Sequence, residues 1–66
     1  MQNPLVSARK ASGLTQAQLA AQSGVHIRTI QKYESGEHAI KNMPLINALG
    51  ISAALGITPQ QLLPPE

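Results

Sequence analysis

Glycine and proline punctuate this chain so closely that no long element fits between them. Gly13, Gly24 and Gly36 each follow a short stretch of helix-forming residues, and Pro4, Pro44 and Pro59 each stand near the start of another. Glycine supplies the left-handed backbone that ends a helix, whereas proline is tolerated in a helix's first turn. Alanine, glutamine and leucine dominate the stretches between. The β-branched residues are scattered, and no run alternates as a strand would. The punctuation predicts an all-α fold, a compact bundle of five short helices.

The boundaries follow from capping chemistry. Asn3 before Pro4 caps a first helix that runs to about Ser12, with Leu5, Ala8 and Ser12 on its inner stripe and Arg9 beside it. Thr15 and Gln18 form a Thr-x-x-Gln capping box for the second helix, whose apolar contacts are Leu14, Leu19 and Ala20. Gly24 makes the tight turn into a third helix over about Ile27 to Ser35, and Gly36 closes it. Glu37 to Lys41 is a connector. Asn42 is the expected cap of a fourth helix, with Pro44 in its first turn and the densest apolar content of the chain, from Met43 to Leu55. Gly50 inside it costs about 1 kcal/mol against alanine. It therefore marks either a close backbone approach or a weak point. Thr58 and Pro59 open a fifth helix carrying Leu62 and Leu63, and Pro64-Pro65 stop it.

Sixty-six residues make one small domain, 1–66, without internal repeat or linker. A chain of about 60 residues buries only about 60% of its unfolded surface, so the core is marginal. There is no cysteine to staple it, and His26 and His38 are too few for a zinc site. No metal or other cofactor is expected. Stability rests on helix packing, alone or with a partner chain. Arg9, Lys10, Arg28, Lys32 and Lys41 outweigh Glu34, Glu37 and Glu66, giving a net charge of +2. That balance permits nucleic-acid binding without demanding it. No apolar run approaches the roughly 20 residues of a membrane span, and no signal peptide is visible. The expected setting is the cytoplasm.

The segment SGVHIRTIQKYESG, Ser23 to Gly36, poses the functional question. At 100° per residue, Val25, Ile30 and Tyr33 share the inward side. Arg28, Gln31, Lys32 and Ser35 share the outward side, and Ile27 lies next to them without a packing reason. On charge alone this outward side reads as an ordinary solvated face.

What precedes it changes that reading. Thr15 to Gly36, TQAQLAAQSGVHIRTIQKYESG, resembles the helix-turn-helix of the phage-repressor and Cro-like family of bacterial DNA-binding domains. The resemblance covers nearly the whole chain, through the ending LGITPQQLL. It implies a lambda-repressor-like fold with the helix-turn-helix at residues 16–35. It also implies sequence-specific binding of double-stranded DNA by a bacterial or phage transcriptional regulator, with the third helix in the major groove. Small Ala20, the Gly24 turn, and Val25, Ile30 and Tyr33 beneath it match the family's structural positions. Glu34 and Gly36 match its Glu-x-Gly ending, and the family pairs the glutamate with an arginine of the first helix, here Arg9.

By position, the resemblance makes Ile27, Arg28 and Lys32 the base contacts. Arg28 would fork onto guanine, Lys32 reach a guanine or a phosphate, and Ile27 touch a thymine methyl. Gln16 would hold a phosphate at the start of the second helix. Gln31 and Ser35 face a base or the sugar-phosphate chain, and Lys41 lies where the family often meets a phosphate. His26 stands at an N-cap the family gives to serine or threonine. It either approaches a phosphate or stays packed or solvent-facing. His38 reads as a loop residue.

Two departures from the family pattern stand out. The chain from Gly36 to Leu55 is longer than usual by nearly one helical turn, placed either in the connector or in the fourth helix. Ser52 replaces the usual alanine, and either bonds back within its helix or faces a partner. The fourth helix and the Leu62-Leu63 end are the expected homodimer contact. A second function class is an antitoxin-like or protein-binding module on the same fold. An enzyme is not expected, because no nucleophile, base and orienting residue recur at useful spacing.

Overall fold

The structure, a computed structural model, describes residues 3–62. Four α-helices follow one another: α1 (Pro4–Ala11), α2 (Gln16–Ser23), α3 (Ile27–Ser35) and α4 (Leu45–Leu55). A 3₁₀ turn at Ile40–Asn42 lies in the connector before α4, and another at Pro59–Leu62 follows it. Among the described residues there is no strand. The all-helical class is as expected, but among the described residues the count is four α-helices, not five. The segment after Thr58 forms a single tight turn, with the Gln61 N–H donating to the Thr58 carbonyl at 3.0 Å. Leu63 and the Pro64-Pro65 stop lie outside the described residues.

The first three helices start and stop where their caps are written. The Asn3 side-chain oxygen accepts from the Leu5 N–H at 2.8 Å. Thr15 and Gln18 close both halves of the capping box, at 3.1 and 2.9 Å. Gly24 adopts a left-handed φ of 74°, and the Ser23 hydroxyl accepts from the Val25 N–H at 3.2 Å, steadying the turn into α3.

The start of α4 differs from the expectation. Asn42 does not cap it; the helix begins at Leu45 with Pro44 at the N-cap position and no side-chain cap. The cause is Pro44. A residue before proline is pushed out of the helical region by the proline ring, and Met43 is extended, with ψ 130°. A helix containing Met43 is thus excluded, and the connector absorbs the length as a 3₁₀ turn.

Leu5, Leu19, Val25, Ile30, Tyr33, Ile40, Ile51, Leu55 and Leu62 form the core. Every described element contributes at least one of them. Burying a side chain of this size stabilises by about 1.5–3 kcal/mol. The α4 helix packs most heavily on α2, and Gly50 explains how. A Cβ at that position would lie 2.5 Å from the Ser23 carbonyl oxygen. Of the two readings of Gly50, close backbone approach is the one observed. Ser52 is buried, and its hydroxyl donates back to the Ala48 carbonyl at 2.7 Å. Its polarity is therefore met within α4.

Long-range hydrogen bonds hold both ends of α1 to the rest. The Asn3 amide donates to the Tyr33 carbonyl at 2.8 Å, and the Ser12 hydroxyl donates to the Leu55 carbonyl at 3.3 Å. Asn3 thus serves two helices at once, capping α1 and satisfying a carbonyl in the last turn of α3.

Candidate nucleic-acid interface

The outer face of α3 is defined by what its inner face does. Ile30 and Tyr33 are buried, and Val25 lies buried beneath the turn, so α3 has one orientation on the domain. Arg28, Gln31, Lys32 and Ser35 are then exposed, and together with Glu37 they line one shallow concavity. Among the described residues neither the Arg28 nor the Lys32 side chain makes an ion pair or hydrogen bond. A guanidinium and an ammonium, one turn apart, are left with all their donors facing outward.

Arg9 is the opposite case. Its Nε donates to Glu34 Oε2 at 2.7 Å and its Nη2 to Oε1 at 3.0 Å, while Nη1 donates to the Leu14 carbonyl at 2.9 Å. The two side chains are only 14% and 7% exposed. Hydrogen bonding to Glu34 raises the pKa of Arg9 above its ordinary value, more than burial lowers it. The guanidinium is permanently charged and bonded through each of its nitrogens, joining α1, the α1–α2 loop and α3.

The structure extends this pair into a network that the sequence did not reveal. Glu34 Oε1 also accepts from the Gln16 amide nitrogen at 3.0 Å, and Gln16 Oε1 accepts from the Gln31 amide nitrogen at 3.4 Å. Gln16 is therefore engaged inward, with one amide N–H left over. No sequence spacing announces this, because Gln16 and Gln31 lie on different helices and meet only once α2 and α3 are docked.

Other residues are placed more mixedly. His26 is the N-cap of α3, its Nδ1 accepting from the Arg28 N–H at 3.1 Å. An imidazole can accept there only when its proton is on Nε2, so the neutral ring does the work that serine or threonine does elsewhere. Ile27 is half-buried rather than fully exposed, yet it is not among the residues packed on the core. Ser35 is exposed but committed to its own helix end: its hydroxyl donates to the Lys32 carbonyl and accepts from the Glu37 N–H. Lys41, exposed in the connector, shares its concavities with residues of α4 and with the start of α1, not with Arg28 and Lys32. His38 packs edge-on against Tyr33, ring centres 5.7 Å apart. Glu37, not singled out from sequence, adds a negative charge at the rim of the cationic face.

A second exposed face is apolar. Leu45, Ile46 and Leu49 on α4 are 69%, 79% and 51% exposed. Leu45 also borders a groove lined by Ile40, Met43, Ala48 and Leu62. Among the described residues no group of acids, histidines or cysteines could hold a metal ion, and no helix is long and apolar enough to cross a membrane.

The comparisons with known proteins agree with this geometry. The family model for the helix-turn-helix matches residues 5–62. No curated protein matches the chain by sequence. Among solved structures, the chain is similar to the restriction-modification controller protein C.AhdI from Aeromonas hydrophila. The identity is 34% and the TM-score 0.81, over 92% of this chain and 88% of that one. With its recognition helix fixed by an ion-paired seam and its outward donors unspent, the chain belongs to the Cro-like helix-turn-helix family of DNA-binding transcriptional regulators.

Proposed function

We propose that the outer face of α3 reads a specific DNA sequence in the major groove, with Arg28, Lys32 and Ile27 at base edges. The observation that carries this is the pair Arg28 and Lys32, two exposed cations without a side-chain partner among the described residues, on a helix whose other side holds it to the domain through Ile30, Tyr33 and Glu34. Arg28 forks onto guanine O6 and N7, and Lys32, one turn later, reaches a neighbouring guanine or a phosphate. Ile27, outside the core cluster, supplies the apolar surface a thymine methyl needs. The second amide N–H of Gln16, the outer edge of His26 and the Lys41 ammonium supply contacts to the sugar-phosphate chain. Ser35, bonded locally, contributes least.

Two copies bind together. One domain carries few free cations, so a single copy holds DNA weakly, and paired recognition helices about 34 Å apart match successive turns of one groove face. The apolar Leu45, Ile46 and Leu49 supply the contact between copies, since exposed leucine and isoleucine clustered on one helix gain by mutual burial. No step of the function involves catalysis. The protein works in the bacterial cytoplasm, and its likeness to a restriction-modification controller protein supports a role in regulating transcription.

Selection of bound duplexes from a random pool tests the reading. The expected result is a two-fold symmetric site. Absence of any shift with random DNA at low salt and high micromolar protein, together with copurification of a protein partner, would replace it with the protein-binding module. Ile46→Asp is expected to convert a dimer to a monomer in sedimentation. An unchanged mass would remove α4 from the dimer contact.

A further inference from the structure

We infer that Gln31 is a specificity-determining residue that reads an adenine, and that Gln16 is the positioning residue that fixes its amide for that task. The inference rests on the DNA-binding reading of the α3 outer face.

The argument is one of hydrogen-bond polarity. A guanidinium only donates, so both Glu34 oxygens accept from Arg9 and the carboxylate is ionised. An ionised carboxylate only accepts, so Gln16 must turn its amide nitrogen toward Glu34 Oε1, at 3.0 Å. The Gln16 oxygen then faces away, and Gln31 must meet it with nitrogen. Rotating the Gln31 amide by half a turn would set two oxygens face to face. A glutamine on a surface helix is normally free to flip between two equivalent arrangements. Here the half-buried Arg9–Glu34 pair removes that freedom through Gln16.

What Gln31 keeps is one amide N–H and its whole oxygen, which no donor reaches among the described residues. It shares its concavity with Arg28, Lys32 and Ser35. An acceptor and a donor side by side complement the N6 amino group and N7 of adenine. Guanine presents O6 and N7, both acceptors, so the fixed oxygen would meet O6 unfavourably. Cytosine offers a donor at N4 but no acceptor beside it. The ion pair that holds α1 to α3 therefore also sets which base this face accepts.

The test is selection of sites from a random duplex pool by the full chain and by three variants. Wild type is expected to enrich sites with one strongly preferred adenine. In Gln31→Ala the preference at that position falls about 10-fold, while the rest of the site is kept. Gln16→Leu is expected to relax the same position although Gln31 is intact. Gln31→Glu, which can only accept, shifts the preference at that position toward cytosine. Circular dichroism and thermal melting confirm that each variant folds, and Gln31, being exposed, does not threaten the fold. A loss of affinity equal across all sequences in Gln31→Ala overturns the assignment and makes Gln31 a phosphate contact. An adenine preference untouched by Gln16→Leu overturns the positioning role. If the wild-type chain enriches no sequence, the DNA reading itself has failed. Enrichment indifferent to Gln31 defeats only the assignment made here.

Discussion

Two arginines of this small protein, Arg9 in the α1–α3 seam and Arg28 on the outer face of α3, do opposite things with the same chemistry. Arg9 uses every nitrogen on protein partners and is 14% exposed. Among the described residues Arg28 uses none of its side-chain donors, and it stands exposed beside Lys32. A guanidinium is equally suited to fastening two helices and to forking onto a base. What separates the two roles is whether a carboxylate lies within reach after folding. Glu34 finds Arg9 because both sit where α1 crosses α3. Arg28 points the other way, and the nearby Glu37 only rims its concavity without pairing to it.

That contrast can be broken from the inside first. Glu34→Ala should destabilise the fold by about 3 kcal/mol, at the low end for a buried pair because Arg9 keeps a path to water. Urea unfolding measures it, and Arg28→Ala should leave the same midpoint nearly unchanged, within about 0.5 kcal/mol. Equal effects of the two substitutions would erase the distinction. Next comes Gly50→Ala. Its Cβ would collide with the Ser23 carbonyl, and an overpacked seam of this kind costs about 1–3 kcal/mol. A neutral result would mean that α4 can slide.

On the outer face, Arg28→Ala should cost about 1–3 kcal/mol of binding and relax one base position. Uniform weakening at every sequence would instead make Arg28 a phosphate contact, measurable by titrating the selected site and its point variants. The smallest effect sharpens Lys32. If it meets a phosphate, Lys32→Ala lowers the magnitude of the salt slope of log K by about 0.9. If it meets a guanine, the slope stays and one base preference goes.

The sequence was legible wherever the backbone's needs are met by neighbours in the chain. Asn3 with Pro4, Thr15 with Gln18, and Gly24 each state a boundary locally, and α1 to α3 begin and end accordingly. The start of α4 departs from the expectation because Asn42 offers a cap while Pro44 forbids Met43 the helix that the cap would open. The close approach at Gly50 was one of two open readings, since only the docked α2 reveals the Ser23 carbonyl beside it. The Arg9–Glu34 bond was legible through the family resemblance. Its continuation through Gln16 to Gln31 was not, because side-chain amides carry no periodic signature. Ile27, expected to be exposed, turned out half-buried, which hydrophobic spacing along one helix cannot resolve.

The contact between Gly50 and Ser23 has a consequence beyond stability. Ser23 is the last residue of α2, next to the turn that launches α3, and Gly50 sits in the middle of α4. If two copies join through α4, this backbone contact helps set the offset between the joint and each recognition helix. The missing side chain then acts as a calibration. It sets how far apart two half-sites must lie for both copies to be seated, and a single methyl group there would change the gauge of the whole assembly.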